Sequence, residues 1–277
     1  MSLTFSIELE SSKLIDYNLL EKFTEVKFCS LTWHIDPNRK YYFTKNTDFP
    51  VLNLSEFLIK RNKCVLLHIP CRTLSKYEAL TILDRAKIIG VKYILAVRGD
   101  SKNIKECNPF FPSTIEFVRF IKMYYGNYFS IGVAGYPRGH PLSQNLDSDL
   151  EFLKSKVLAG ANFILSQFEF DFRRVEMFLH RCQLLNINVP VIVGIYVVTP
   201  TTDRMASKCG VVLPNNISKV LNQIKYNPCA VENFALCQVL WFLKKILLTK
   251  QEQLKGVHVF SMNKLFNVYR IYKHLNF

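Results

Sequence analysis

The sequence lacks the segments that would direct a protein into or across a membrane. No run reaches the roughly 18 uncharged apolar residues that a spanning helix needs. The nearest candidate, FALCQVLWFLKKILL at 234–248, is interrupted by Gln238, Lys244 and Lys245 and predicts a well-buried helix. The N-terminus, MSLTFSIELESSK, has no basic region, long apolar run or small-residue cleavage site. We therefore expect neither a membrane protein nor a secretory signal.

Zinc-ligand spacing is also missing, although the sequence has eight cysteines. None of them forms a C-x-x-C pair, and no Cys/His cluster has zinc spacing, so no metal site is expected. Several cysteines lie inside apolar runs, where a free thiol behaves as a small hydrophobic group. This usage indicates a reducing compartment and hence a cytoplasmic protein.

Acidic residues are few relative to basic ones: 22 against 36, for a formal net charge of +14. Such a charge attracts anions, including nucleic acids, membranes and phosphorylated or polycarboxylate ligands. The basic residues are dispersed, however, and the densest patches, such as KKILLTK at 244–250, are short. Because no RNA-binding or helix-turn-helix signature is found, a solvated basic surface is favoured over a nucleic-acid partner.

Eight short apolar runs predict eight β-strands within one domain, residues 1–277, because no linker or low-complexity segment divides the chain. Most runs are continuously apolar, as parallel strands covered on both faces are. Amphipathic stretches at 76–90 and 147–160 predict helices, the second capped by Asp147. Extra helices are expected near 217–226 and 231–248. The pattern predicts an α/β fold, a single (β/α)8 TIM barrel. The predicted strands are 4–10, 25–33, 64–70, 93–100, 129–137, 163–170, 190–198 and 256–263.

Polar side chains end most of the predicted strands, and the carboxyl ends of barrel strands form the active site. One strand ends in ILAVRGD, 94–100, whose Arg-Gly-Asp is also an adhesion tripeptide. At the end of a buried strand these residues belong to a pocket, whereas an adhesion loop must protrude. The side chains expected to converge are Glu8, Thr32, His68, Asp100, Tyr136, Gln167 and, just past the last strand, Lys264.

Several motifs at these strand ends follow one another in a recognisable order. The segment 129–170 contains A-G-Y-P-x-G-H-P, D-L-x-x-L-K-x-K-V and A-G-A-x-F-I-x-x-Q, and SLTWH, HIPC, ILAVRGD and HVFSMNK end other strands. With these motifs the chain resembles the catalytic domain of the methylenetetrahydrofolate reductase family. The resemblance implies reduction of 5,10-methylenetetrahydrofolate to 5-methyltetrahydrofolate, with FAD as cofactor and NADH or NADPH as co-substrate, in one-carbon and methionine metabolism.

The resemblance also implies roles for individual residues. Glu8 would be the general acid that protonates folate N10, and Asp100 would tune the flavin and favour a cationic folate intermediate. Substrate contacts would come from Asp100, Gln167 and Lys264. Cofactor contacts would come from Thr32, Trp33, His68, Arg98, Gly99, Asp100, Tyr136, His140, Asp149 and Lys156.

Most of these residues also have a structural interpretation. Glu8 could be a surface strand-end glutamate, with Glu10 as a nearby decoy, and Asp100 a helix cap. The others could be an ion pair inside the barrel (Arg98), core packing (Trp33, His68), a structural corner (Tyr136, His140), a solvated helix face (Asp149, Lys156) and a packed amide (Gln167). His258 is expected in the core.

The match to the family is incomplete. After Glu8 the F-F-P-P continuation is missing, Lys264 replaces an arginine, and no clear aromatic follows strand seven, where Tyr196 is a poor stand-in. Flavin binding is therefore expected more firmly than turnover. The alternative is a degenerate barrel that binds flavin, folate or a protein partner without efficient turnover. No regulatory domain is expected. Whether the chain forms a homo-oligomer is left undecided by the sequence.

Overall fold

Eight parallel strands close a barrel in chain order in the computed structural model, which describes residues 3–33, 49–72, 74–99, 110–249 and 251–274. Each strand pairs with the next, and the last pairs with the first. The predicted (β/α)8 barrel is therefore confirmed, and all eight predicted strands are present. The strands are β1 (Thr4–Glu10), β2 (Val26–Thr32), β3 (Val65–Pro70), β4 (Tyr93–Val97), β5 (Ser130–Gly135), β6 (Phe163–Phe168), β7 (Val191–Tyr196) and β8 (Leu254–Phe260).

Helices surround the barrel, and both predicted extra helices lie between β7 and β8. A third, shorter helix in the same connection was not predicted. The helices in the described part of the chain are α1 (Tyr17–Glu21), α2 (Pro50–Ile59), α3 (Lys76–Ile88), α4 (Thr114–Tyr125), α5 (Leu146–Leu158), α6 (Phe172–Leu184), α7 (Thr202–Lys208), α8 (Asn215–Ile224), α9 (Pro228–Leu248) and α10 (Leu265–His274). None of them is long and apolar enough to cross a bilayer.

The prediction that Asp147 caps α5 is wrong. Asn145 is the N-cap: its side chain accepts the Ser148 N–H at 2.8 Å, and the Ser148 hydroxyl accepts the Asn145 N–H. This capping box gives hydrogen-bond partners to backbone N–H groups at the start of the helix that would otherwise have none. Asp147 lies inside the helix, where its carboxylate pairs with Arg181 at 2.8 Å.

The lower part of the barrel is filled with side chains, so it is a packed core rather than a channel. Gly132 of β5 makes room for Phe163, because an added Cβ would lie 2.5 Å from that ring. His258 is fully buried there, with Nδ1 2.9 Å from Ser6 Oγ and Nε2 3.1 Å from Ser30 Oγ, which confirms its predicted place in the core. The apolar layer comprises Phe28, Leu66, Leu95, Phe163, Leu165 and Ile192. By analogy with other TIM barrels, a ligand site is expected at the mouth formed by the carboxyl ends of the strands.

Candidate active site

Glu8 is a buried carboxyl at the carboxyl end of β1. The neighbouring strand β2 brings Thr32 to it, and Thr32 Oγ1 donates a hydrogen bond of 2.8 Å to Glu8 Oε1. Burial raises the pKa of Glu8, the hydrogen bond from Thr32 opposes the rise, and the charge of Glu10 adds to it. A carboxyl that holds its proton above the usual pH range is suited to general acid catalysis.

Glu10, the nearby decoy, has a different environment. Its carboxylate accepts a hydrogen bond of 2.9 Å from Ser12 Oγ and forms an ion pair with Lys13. Both carboxyls accept a hydrogen bond from a hydroxyl group, but only Glu10 also has a direct ammonium partner among the described residues. The two carboxyls, two residues apart on one strand, are thus placed for different chemistry.

The segment after β8 holds the end of β1 in place. Ser261 Oγ donates to the Glu8 carbonyl oxygen at 2.6 Å, and the Asn263 side chain bonds the Glu10 N–H and carbonyl at 2.8 and 2.9 Å. Met262 and Asn263 both have left-handed backbones, with φ of 49° and 61°. A backbone hydrogen bond from Met262 reaches the Glu8 carboxyl and lowers its pKa, against the larger effect of burial. This segment therefore orients Glu8.

The backbone after β4 requires glycine at position 99. Gly99 has a φ of +94°, and an added Cβ would lie 2.9 Å from Pro70 Cβ. The guanidinium Nε of the preceding Arg98 is buried and has no hydrogen-bond partner in the described part of the chain. Asp100 lies outside the described residues, so its catalytic, cofactor and substrate roles stay predictions.

Two further predicted cofactor contacts lie at the ends of β2 and β3. Trp33 packs edge-on against Phe49, with ring centroids 5.4 Å apart, so at least part of its role is packing. His68 is buried in β3. Burial lowers the pKa of the core residue His258 well below the usual value, and the proximity of His68 lowers it further.

The turn after β5 forms a corner that is tied to the next loop. The rings of Tyr136 and His140 meet edge to face, with centroids 4.7 Å apart. Between them, Arg138 forms two hydrogen bonds to Glu169, with Nε at 2.6 Å and Nη2 at 3.0 Å. Glu169 is buried, and its Oε1 also accepts the backbone N–H groups of Phe170 and Asp171. The Arg138–Glu169 pair was not predicted from the sequence. The hint that the sequence offers is an acidic residue between two phenylalanines, FEF at 168–170.

Asp149 and Lys156 of α5 bond to residues on either side of the same corner. Both side chains are buried, so the interpretation as a solvated helix face is wrong. Lys156 Nζ donates to the Ala134 carbonyl of β5 at 2.7 Å, and Asp149 accepts from Ser143 Oγ at 3.0 Å. Burial lowers the pKa of Lys156 to about 8, while Asp149 opposes the fall. The predicted contacts with FAD stay predictions.

An aromatic cluster lies at the ends of β6, β7 and β8, near Glu8, and its central ring was not predicted from the sequence. The ring of Phe168 lies 4.8 Å from that of Tyr196 and 5.9 Å from that of Phe260. Burial raises the pKa of Tyr196, and Glu8 lies close enough to raise it further. The register of β6 against β7 shifts between Leu165 and Phe168, and such a bulge re-aims side chains. In this bulge Gln167 Oε1 accepts the Phe168 N–H at 2.9 Å.

Comparison with known proteins identifies the family. Residues 10–276 match the family model described as methylenetetrahydrofolate reductase.

The chain belongs to the methylenetetrahydrofolate reductase family.

Named relatives agree with this membership. The chain is 29% identical over 285 residues to "Probable methylenetetrahydrofolate reductase (NADPH)" of Caenorhabditis elegans, covering 98% of this chain and 42% of that protein. It is 33% identical over 214 residues to "Methylenetetrahydrofolate reductase 2" of Schizosaccharomyces pombe, covering 71% of this chain and 33% of that protein. The chain thus spans between a third and somewhat over two-fifths of the length of these methylenetetrahydrofolate reductases.

A solved structure shares the fold with a sequence identity of only 9%. It is an uncharacterised Clostridium thermocellum protein that binds two copies of 5-methyl-5,6,7,8-tetrahydrofolic acid. The TM-score is 0.65, and the match covers 99% of this chain and 95% of that one. This likeness supports the barrel alone.

Within this methylenetetrahydrofolate reductase barrel, the structure brings some predicted site residues into direct contact. Glu8 meets Thr32, Tyr136 meets His140, and both contacts lie at strand ends. Lys264 lies further out, where it lines a crevice beside the segment after β7. Glu8 itself lies just before the residues matched by the family model, so its assignment depends on its position and environment.

Proposed function

We propose that this chain reduces 5,10-methylenetetrahydrofolate to 5-methyltetrahydrofolate, with FAD as cofactor and NADH or NADPH as electron donor. The observation that carries the proposal is Glu8, a buried carboxyl of raised pKa at the barrel mouth. Opening the five-membered ring of the substrate requires a proton at N10, and Glu8 has the chemistry to provide it. The related proteins named for NADPH and for NADH leave the choice of nicotinamide open.

The residues around the mouth fit a flavin nucleotide. Gly99 leaves the backbone after β4 without a Cβ, and the buried Arg98 Nε lacks a partner among the described residues, so it is available to a polar cofactor atom. This strand end and the Tyr136–His140 corner would hold part of the cofactor. When bound, FAD supplies the hydride that it has received from the nicotinamide. The further contacts follow the family resemblance: Thr32, Trp33, His68, Asp100, Asp149 and Lys156.

The chain's own residues control the proton. Glu8 gives its proton to N10, the ring opens to the 5-iminium cation, and the carboxylate of Glu8 remains. The hydrogen bond from Thr32 stabilises that carboxylate, so it keeps the pKa of Glu8 from rising so far that the proton cannot leave. The apolar side chains of Phe168, Tyr196 and Phe260 keep water away from this part of the mouth. Gln167 and Asp100 would contact the substrate.

Replacing Glu8 by glutamine tests the proposal. Glu8→Gln removes the proton but keeps the size and the Thr32 contact, so reduction of 5,10-methylenetetrahydrofolate should fall by about 10²–10⁴-fold. Reduction of the bound flavin by NADH or NADPH, followed by stopped-flow absorbance, should persist. Glu10→Gln is the matched control and should retain folate reduction. If Glu8→Gln reduces folate as fast as the wild type, Glu8 is not the acid.

The apolar cluster favours a second candidate, a barrel that binds flavin or folate without efficient turnover. Ala206 of α7 and Val211 pack with Phe168 and Tyr196, so apolar side chains fill space beside the ends of β6 and β7. Wild-type protein loaded with FAD decides between the two. Tight binding of folate without NAD(P)H-dependent reduction would establish the second candidate.

A further inference from the structure

The Arg138–Glu169 pair joins two strand ends beyond the point where their backbones stop bonding. The parallel ladder between β5 and β6 ends at Gly135 and Ser166. Arg138 and Glu169 each lie three residues further along the chain from these positions. Their two hydrogen bonds, of 2.6 and 3.0 Å, therefore continue the link between the neighbouring strands on the mouth side of the barrel.

Glu169 is held in place by its own loop as well as by Arg138. Its side chain is 1% exposed, and its Oε1 accepts the backbone N–H groups of Phe170 and Asp171 at 2.8 and 3.0 Å. Asp171 is the N-cap of α6. The carboxylate is thus anchored at the start of a helix, so Arg138 binds an acceptor whose position is fixed.

A buried ion pair of this kind fixes geometry more than it adds stability. Taking two charges out of water costs about as much free energy as their attraction returns. A guanidinium that donates two hydrogen bonds to one carboxylate, however, restricts both the distance and the orientation between its partners. The Arg138 side chain is 21% exposed, so most of the contact is shielded from solvent. The effect of the pair is therefore expected in the spacing of the two loops.

Both loops carry residues that the proposed function uses. Arg138 lies between Tyr136 and His140, whose corner would hold part of the cofactor. Glu169 lies two residues after Gln167, which would contact the folate. A change in the distance between the two loops would therefore move the cofactor relative to the substrate.

We propose that Arg138 and Glu169 are a positioning pair that sets the distance between the bound cofactor and the bound folate. The inference rests on the proposed function, because it concerns the two ligands of that reaction. The pair acts through the Tyr136–His140 corner on one side and through Gln167 on the other. Breaking the link should leave each ligand able to bind alone, but it should weaken the contact between them.

Two substitutions break the link from opposite sides. Glu169→Gln keeps an oxygen at the Oε1 position for the N–H groups of its own loop, but it places an amide NH2 against Arg138 Nε. Arg138→Met removes the guanidinium and leaves Glu169 with its two backbone bonds, so the chain should still fold. Arg138→Lys keeps the charge without the two-donor fork and should recover part of the function. Arg181→Met is the matched control, because it breaks the ion pair with Asp147 that joins α5 and α6.

Calorimetry measures the contact between the two ligands without catalysis. The Kd of 5-methyltetrahydrofolate is determined with the cofactor-free chain and with the FAD-loaded chain. In the wild type, FAD should tighten folate binding about ten-fold, because hydride transfer requires the two rings to be in contact. In Glu169→Gln and in Arg138→Met this factor should fall to about two-fold, and the double variant should lower it no further, since both changes break one link. The Kd of FAD alone should be nearly unchanged.

Single-turnover kinetics give the second measurement. Reduction of 5,10-methylenetetrahydrofolate by the reduced, FAD-loaded protein should slow by about ten-fold in both variants, because a small misplacement of reacting groups is costly. Arg138→Lys should lose less, and Arg181→Met should match the wild type. The pH dependence of the rate should keep its shape, because the proton still comes from Glu8.

The outcomes separate this inference from the proposed function. If the wild type reduces the folate and both variants keep its binding factor and its rate, the positioning role is wrong while the proposed function stands. The same holds if the variants lose only stability in urea, since the pair is then merely structural. A loss in only one of the two variants would mean that the residue acts through its own loop, which overturns the pair. If the wild type binds neither ligand, the proposed function fails and takes this inference with it.

Discussion

Glu8 and Thr32 form the contact on which the proposed chemistry depends. Thr32→Val removes the hydroxyl that favours the charged form of Glu8, so the pKa of Glu8 should rise further. A general acid works only while protonated, so its rate falls as pH rises through its pKa. The descending limb of the pH profile for folate reduction should therefore move to higher pH in Thr32→Val, as single-turnover rates would show. An unshifted limb would mean that another group supplies the proton.

Lys156 gives a second residue-level prediction, on stability. Its folded pKa is about 8, below the ordinary 10.5, because it is buried. Between these values the unfolded chain holds one more proton than the folded one, so the free energy of unfolding rises with pH by about 3 kcal/mol. Lys156→Met should lack this rise, in urea denaturation at pH 7.5, 9 and 10.5. Lys154→Met is the matched control on the same helix, and equal pH slopes in wild type and Lys156→Met would contradict the expected effect.

Single residues differ in how far the sequence could predict their roles. Glu8 and Thr32 could be placed together because side chains at the ends of adjacent parallel strands meet at one rim. Arg138 and Glu169 could not, because they lie in separate loops 31 residues apart, without any periodic pattern. For Lys156 a solvated position stayed open beside the predicted cofactor contact, because charged helix residues are usually exposed. Its bond to the Ala134 carbonyl and the nearby Asp149 help to explain its burial, and neither could be read from the sequence.

The backbone at the end of β4 depends on glycine at position 99. Gly99→Ala should cost about 1–3 kcal/mol for the left-handed backbone, and a further 1–3 kcal/mol, roughly, for overlap with Pro70. Gly126→Ala is the matched control, since Gly126 also has a positive φ but nothing within 4 Å of the added Cβ. Urea denaturation should show the larger loss for Gly99→Ala, with weaker FAD binding in that variant alone. Equal losses would mean that the contact with Pro70 relaxes.

At the scale of whole elements, strands were easier to predict than their irregularities. Continuous apolar runs are a strong signal for strands covered on both faces, and they located β1 to β8. The bulge in β6 left no such signal. One extra residue changes which face of the sheet the following side chains point to, but it does not change the composition of the run. For this reason the packing of Phe168 on Tyr196 was missed. The seven-residue α7 was missed because it is short and its first turn has no side-chain cap.

For the molecule as a whole, the closed barrel explains why distant motifs share one site. Strand order follows chain order, so seven crossovers bring residues from β1 to β8 to the same rim. Barrel closure could be predicted from eight strand–helix units, whereas the crevice beyond β8 depends on how α9 and α10 pack and has no sequence pattern of its own. The net charge of +14 raises the further question of whether anions bind through charge alone.

Thermal unfolding with added nucleotides answers that question. A ligand that binds only the folded chain at a concentration of about 100 times Kd stabilises it by about 2.7 kcal/mol, which corresponds to an increase in Tm of about 5 °C for a domain of this size. FAD should give this increase. ADP carries the same diphosphate and adenosine without the flavin, so at equal concentration it should give a clearly smaller one. Equal shifts with FAD and ADP would show that the basic surface, and not the mouth around Gly99 and Tyr136, binds the nucleotide, and the absence of any shift with FAD would exclude it as the cofactor.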